Sequence, residues 1–482
     1  MEQGKNMQIT LIGLITIILT IIFFKNSAKL FSLLVFLSPF TASSIFILTG
    51  TDKGMQPAYF IGLAFIFRTI LKLFMKKVSI NAIQKKMIAL LSAFWLLMLG
   101  SLLFPLVLNV FGIDPILINA RAVDITRASD FPSYSCNYFI YMTLFLAIAI
   151  STIFEIDSFE KIKKSIQVLS ISAFFSAVWG LFVQLPSFLL GYDYPIWIFN
   201  NHQGYGQSWN NKLFSLTSFL PRINSIFPEP SMYAVFLMAI IVILFVLTIN
   251  KIYIFRNGFQ VFLLIFLLIT SWLSTSTTAY IGSFLLLVST VLGYLKLKRL
   301  FNLKVDKKLF LFGKYLLGVS LIALLVFMSL AFLFIINISD LLSIFRSLTF
   351  DKVSSGSGQD RADSSLYGLS ILFDTYFLGT GWGYNRTNDL LFTLLSNVGL
   401  FGFLYFAFVM FYFLKNTYAI YKKLKEWREF SYISLALFFS LLMELALMLI
   451  AVPDFIFIYF WIILGLLLSL PKAMDRLMEN KA

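Results

Sequence analysis

Residues 222–234 read RINSIFPEPSMYA, an arginine and a glutamate seven residues apart, directly before a run of about twenty apolar residues. The Arg222 guanidinium stays charged at physiological pH and grips phosphate oxygens with a planar, bidentate fork. Glu229 lies between Pro228 and Pro230 just before a predicted helix start. A carboxylate there can position or deprotonate a hydroxyl. The same residues also fit ordinary capping, because proline suits a first helical turn and an acid is stabilised near the positive helix end. A cation and a carboxylate at the lip of an apolar run suit transfer chemistry on a lipid-linked substrate.

Three further groups carry candidate chemistry. In GQDRADSSLYGLSILFDTYFLGTGWGYNR (358–386), Arg361 lies between Asp360 and Asp363, and Arg386 adds a second cation. Gly379, Gly381 and Gly383 follow no strand, so they predict a tight irregular turn rather than a dinucleotide site. The solvated charge cluster is the plain reading of Arg361. Tyr192, Tyr194, Trp197, Trp209, Trp382 and Tyr384 offer flat faces for sugar rings, although Trp and Tyr also belt membrane interfaces. His202 sits in a polar stretch, NNHQGYGQSWNN, as a loop residue or a base. Glu444, in LLMELALML, falls inside an apolar run, where a charge costs about 2.5–3.5 kcal/mol on insertion scales. It is therefore protonated, paired or functional, with Arg68 a candidate partner. A proton-coupled transporter would need such a residue.

The elements that hold these groups are set by composition. The chain has 482 residues, 59% hydrophobic, 18% aromatic and 13% charged, with a mean hydropathy of +0.88. That is too apolar for a soluble domain and predicts an all-α polytopic membrane protein in a single integral domain. About twenty apolar residues cross a hydrocarbon core as a helix. Candidate spans are 8–24, 29–49, 58–75, 87–110, 136–154, 166–186, 231–250, 258–274, 277–295, 315–337, 391–414, 432–451 and 454–470. The first reads as a span or signal-anchor. One cysteine, Cys136, and one histidine leave no disulfide within the chain and argue against a zinc or haem site. GxxxxGK[ST] and HExxH are absent. No metal and no cofactor is expected, and an activated substrate must already be in the membrane.

The net charge of +15 gathers in the loops 76–86, 296–314 and 415–430, all on one side when spans are counted. By the positive-inside rule that side is cytoplasmic, with the C-terminus inside and the N-terminus outside. The charge is a topology signal rather than a nucleic-acid footprint, and it suits anionic lipids. The outer loops are 111–135, 187–230 and 338–390. The middle of the last, VSSGSGQDRADSS, is flexible by composition, and Asp363 to Phe377 has the spacing of a short interfacial helix.

RINSIFPEPSMYA resembles the R-x-x-[SG]-x-[FG]-x-E-P-[AS] motif that precedes a span in bacterial O-antigen and capsule polymerases (the Wzy family). LSTSTTAYIGSFLLL (273–287) resembles their Ser/Thr-rich helix start. The stretch SGQDRADSSLYGLSILFDTYFLGTGWGYN followed by LLSNVGLFGFLYF is similar to their second periplasmic loop and the Gly-containing span after it. The resemblance covers about 200 to 415, and O-antigen ligases share the plan.

The resemblance implies an integral-membrane fold of the glycosyltransferase C type in the bacterial inner membrane. It implies transfer of glycans from undecaprenyl diphosphate on the periplasmic side, with lipid-linked units as donor and acceptor and a chain-length regulator as partner. Arg222, Glu229 and Arg361 match motif positions and are the expected catalytic residues. Arg386, Asp360, Asp363, Trp209, Trp382 and Tyr384 are the expected substrate contacts. Ligases carry a second-loop histidine; aligned on Gly399, its place falls near Asn388, and 338–390 contains no histidine. This favours polymerase over ligase and leaves the general base unassigned. A flippase or other transporter is the alternative outside this chemistry, and cell-wall polymerases of the shape and division family are a more distant one.

Overall fold

The computed structural model describes residues 7–48, 54–75, 80–113, 116–118, 125–127, 133–202, 222–301, 356–452, 455 and 457–479. Trp209, the expected span 315–337, and large parts of 187–230 and 338–390 lie outside them.

The described chain is a helical bundle. Its helices are α1 (Leu11–Phe23), α2 (Ser27–Leu37), α3 (Pro57–Phe74), α4 (Ala82–Ser101), α5 (Phe104–Val110), α6 (Ser133–Glu155), α7 (Phe159–Trp179), α8 (Leu185–Leu190), α9 (Ile196–Phe199), α10 (Pro230–Ile249), α11 (Asn257–Leu273), α12 (Thr277–Phe301), α13 (Gly356–Asp374), α14 (Leu390–Lys423), α15 (Arg428–Ala451) and α16 (Ile458–Glu479). Among the described residues, eight helical stretches are long and apolar enough to cross a membrane. Helices α10 and α16 form the centre: Tyr233 to Ile243 and Ile458 to Leu468 are almost wholly buried. Their apolar residues run around the whole circumference, as expected of helices covered on every side.

Two short antiparallel ribbons depart from an all-α reading. Met7–Ile9 (β1) pairs with Phe46–Leu48 (β2), and Ile116–Ile118 (β3) with Ile125–Arg127 (β4). The apolar run 29–49, expected as one span, divides into the 11-residue α2, which ends at Leu37, and an irregular return to β2. Pro39 supplies no N–H to continue the helix. The expected span 87–110 divides in the same way, into α4 and the proline-started α5. The stretch 353–365, expected to be flexible, is helical from Gly356. Composition missed the packing of α13 on α14, where Gly368 has no room for a Cβ beside Thr387.

Polar contacts define two ends of the bundle. At one, Lys72 pairs with Glu155 at 2.5 Å, Lys163 with Glu429 at 2.6 Å and Arg476 with Asp157 at 2.8 Å. Arg68 donates to the Phe24 carbonyl toward this end. At the other, the Thr10 hydroxyl donates to the Ser44 carbonyl at 2.6 Å and the Ala42 N–H to the Ile226 carbonyl at 3.2 Å. The N-terminal ribbon thus shares an end with residues 222–230.

Candidate anion site at one end of the bundle

The RINSIFPEP segment is held from below by an irregular helix. After α7 the chain makes one π-helical turn, Gly180–Gln184, before α8. Such turns often serve functional sites. This one brings Gln184 under the segment. Its Oε1 accepts the N–H groups of Asn224 at 3.1 Å and Ser225 at 2.7 Å, and its Nε2 donates to Asn224 Oδ1 at 2.5 Å. Gly180 allows the approach, because a Cβ there would stand 2.6 Å from Ile223 Cγ2. Ser225 sits at φ +52°, a left-handed conformation uncommon for serine. Bonds hold it there: its Oγ donates to the Ser176 carbonyl at 2.6 Å, and its carbonyl accepts Asn200 Nδ2 at 2.9 Å. Asn200 is fixed through Tyr194 to Trp179. Residues Ile223 to Phe227 are wholly buried, leaving Arg222 and Glu229 at the two ends of a rigid clamp.

Glu229 is the N-cap residue of α10, yet its side chain makes no capping hydrogen bond. The carboxylate accepts instead from the Ser231 hydroxyl at 3.3 Å. Arg222 is largely buried, and its Nε has no hydrogen-bond partner among the described residues. Burial lowers its basicity and the neighbouring charge of Arg361 lowers it further, while Glu229 and Tyr280 oppose both. Arg222 is therefore within electrostatic reach of both Glu229 and Arg361, although Arg361 comes from α13, far along the chain. Tyr280, in the first turn of α12, is a fourth member that sequence reasoning did not single out. Its only signal was its place in the Ser/Thr-rich helix start. Asp360 and Asp363 flank Arg361 on an exposed part of α13.

The glycine turn is a docking piece. Gly399, at φ +68°, breaks α14 within the expected span. The carbonyls of Ser396 and Asn397 then accept the N–H groups of Thr380 and Gly381, both at 2.8 Å. Trp382 donates its N–H to Ser101 Oγ at 3.1 Å, and its ring stacks on Phe455 at 6.4 Å. Tyr384 is 1% exposed and packs with Ile371. Both rings are buried by tertiary packing, and Tyr384 also lines a pocket beside α4 and α5. Arg386 lies over the Tyr138 ring at 6.0 Å. His202 is tied by its backbone N–H to the Ala42 carbonyl at 3.1 Å. Glu444 is 0% exposed, and neither carboxyl oxygen has a hydrogen-bond partner among the described residues. Its electrostatic neighbour is Tyr459, while Arg68 is bonded to the Phe24 carbonyl.

No group of three or more His, Cys, Asp or Glu side chains that could hold a metal occurs among the described residues. Fold and composition define a multi-pass helical membrane protein. No family model matches the chain and no curated protein matches it.

Proposed function

We propose that this chain is a polysaccharide polymerase of the inner membrane that joins undecaprenyl-diphosphate-linked repeat units at its periplasmic face. The observation that carries the reading is the meeting of Arg222, Arg361 and Glu229, two cations and a carboxylate from distant segments, at one end of an apolar bundle. Two arginines within electrostatic reach of each other suit an anion, and a diphosphate supplies one. The other end carries Lys72, Lys161, Lys163, Lys422, Lys423 and Arg428, which suits the cytoplasmic side.

In the reaction, a hydroxyl of the acceptor unit attacks the anomeric carbon of the donor sugar. The carbon–oxygen bond to the diphosphate breaks and its electron pair leaves with the diphosphate. Arg222 and Arg361 stabilise the charge that develops there, commonly the largest catalytic contribution. Glu229 accepts the hydroxyl proton. Attack opposite the leaving group inverts the anomeric centre. A glycosyltransferase C-like fold and a chain-length regulator protein belong to the same reading. Ligase chemistry would use the same site with a different acceptor.

Buried Glu444 favours one other reading, a flippase or proton-coupled transporter. Deleting the gene separates them. A polysaccharide ladder that collapses to a single repeat supports polymerase. Loss of lipid-attached glycan with accumulated lipid-linked polymer supports ligase. Unpolymerised lipid-linked units held on the cytoplasmic face support flippase. An Arg222→Ala or Arg361→Ala variant that makes full-length chains at normal expression would overturn the site.

A further inference from the structure

A groove runs along the C-terminal end of α4 and beside α5. It has a volume of about 610 Å³, and its lining includes Leu96, Leu99, Leu103, Leu106, Asn109 and Tyr384. That size falls within the roughly 300–1,000 Å³ of small-molecule sites. Leu96, Leu103 and Leu106 are exposed, so the groove opens off the side of a membrane-length helix toward hydrocarbon. Its end of the bundle follows from α4. Asn81, which caps α4, donates to Asp475 Oδ2 at 2.8 Å beside the Arg476–Asp157 pair, so the far end of this 20-residue helix lies away from the basic end. The glycine turn closes the floor. At Gly381, φ is +102°, and a Cβ there would stand 2.6 Å from the Ser101 carbonyl oxygen and 3.4 Å from Pro105 Cδ. That close approach brings Tyr384 onto the groove. Gly100 keeps it open, since a Cβ there would meet nothing within 4 Å. The same turn leads to charge. Arg386 lies two residues after Tyr384, and Asp389 Oδ2 accepts the Ser365 hydroxyl at 2.5 Å. Ser365 is one helical turn from Arg361 on α13. An apolar trough open to lipid thus ends beside a segment that carries one arginine and is bonded to the helix that carries another.

We infer that this groove holds the polyprenyl chain of the lipid-linked substrate, with its diphosphate end turned toward Arg386 and α13. The inference rests on the proposed function, because it takes the substrate lipid to be a polyprenyl diphosphate. An amphiphile with a long hydrocarbon tail and an anionic head complements a trough that is apolar along α4 and cationic beyond Tyr384. A tail is as well solvated in the bilayer as in the groove, so packing and shape decide between occupants. A polyprenyl chain is methyl-branched and unsaturated at regular intervals. It is thicker and stiffer than an acyl chain, makes more contacts in a wide trough and loses less freedom when held.

The test uses the full-length chain in lipid nanodiscs and two photo-crosslinking probes: a polyprenyl diphosphate with a diazirine in its tail, and a phosphatidylglycerol with one in an acyl chain. Gly100→Phe and Leu103→Trp fill the trough, and Leu63→Trp, on the exposed face of α3, controls for added bulk. The polyprenyl probe is expected to label residues 96–109, and excess undecaprenyl diphosphate to displace it. Labelling should fall roughly tenfold or more in G100F and L103W but not in L63W. Equal labelling by the acyl probe that undecaprenyl diphosphate does not displace would make the trough an ordinary lipid contact and overturn the inference. So would polyprenyl labelling confined to other segments while R222A still abolishes polymer formation, a result that leaves the proposed function standing. If undecaprenyl diphosphate neither binds saturably nor displaces the probe, the proposed function fails, and this inference with it. If G100F proves unstable, L103W decides, since Leu103 is already 59% exposed.

Discussion

Replacing Gln184 with methionine tests whether the clamp under Arg222 positions the site. Methionine is unbranched, similar in length and apolar, so it fills the same space without an acceptor or donor. Gln184 is 0% exposed, and its Oε1 is the acceptor for the N–H groups of Asn224 and Ser225. Each buried N–H left without a partner costs about 1–3 kcal/mol, so the segment loses roughly 2–6 kcal/mol of local stability. The left-handed Ser225 also loses one of the bonds that hold it. Even about 2 kcal/mol raises the population of an opened segment roughly 30-fold. Hydrogen–deuterium exchange of peptides covering 222–228 in the full-length protein reads this directly. Faster exchange there, little change in α14 or α15, and shortened polysaccharide chains are expected. Glu at 184 keeps the acceptor but loses the donor to Asn224 Oδ1, so its exchange should be intermediate. Unchanged exchange over 222–228 in Q184M would refute the argument that Gln184 holds the segment.

Other perturbations separate the remaining ideas. Arg222→Lys keeps the charge and loses the planar fork, so polymer formation should fall about tenfold or more, and a parental ladder would argue against bidentate phosphate binding. Gly399→Ala puts a Cβ 2.2 Å from the Phe377 carbonyl oxygen and strains φ +68°; lower thermal stability and loss of product are expected, measured by melting in detergent and by gel. Glu444→Gln keeps the shape of the side chain, so chain length should be unchanged, whereas a proton-coupled transporter would lose turnover. At Asp157, burial raises the carboxyl pKa, but Lys161 and Arg476 outweigh it and hold the group below its ordinary value. The folded pKa is therefore the lower one, and the stabilisation is present above the unfolded value and lost as pH falls through the folded value. Asp157→Asn should lower the melting temperature slightly at neutral pH, for about 1 kcal/mol or less given the half-exposed partners. The difference should close as pH drops below about 4, and a gap that persists there would point to another cause.

Much of the architecture was legible in the chain itself. Twenty-residue apolar runs leave a helix as the only way to satisfy the backbone in hydrocarbon, so α10, α15 and α16 fall close to their expected spans. Arg222 and Glu229 were also readable at the lip of an apolar run, and Arg361 by its place between Asp360 and Asp363. The burial of the aromatic residues was not. Trp382 and Tyr384 look the same in a sequence whether their rings face a sugar or Phe455 and Ile371. Composition likewise made 353–365 a flexible stretch, whereas it is helical from Gly356, leading into the part of α13 that packs at Gly368.

Hydropathy and charge, which act locally along the chain, determined that this is a helical membrane protein and the order of most of its spans. Tertiary structure decided how the candidate site residues are placed. It kept the Glu229 side chain out of the helix cap and placed Arg361 and Tyr280 within electrostatic reach of Arg222. The physical reason is that each of these depends on where one backbone meets another. The π-turn under Ser225, the helix break at Gly399 and the close approach at Gly180 are set by packing between segments that no local pattern relates.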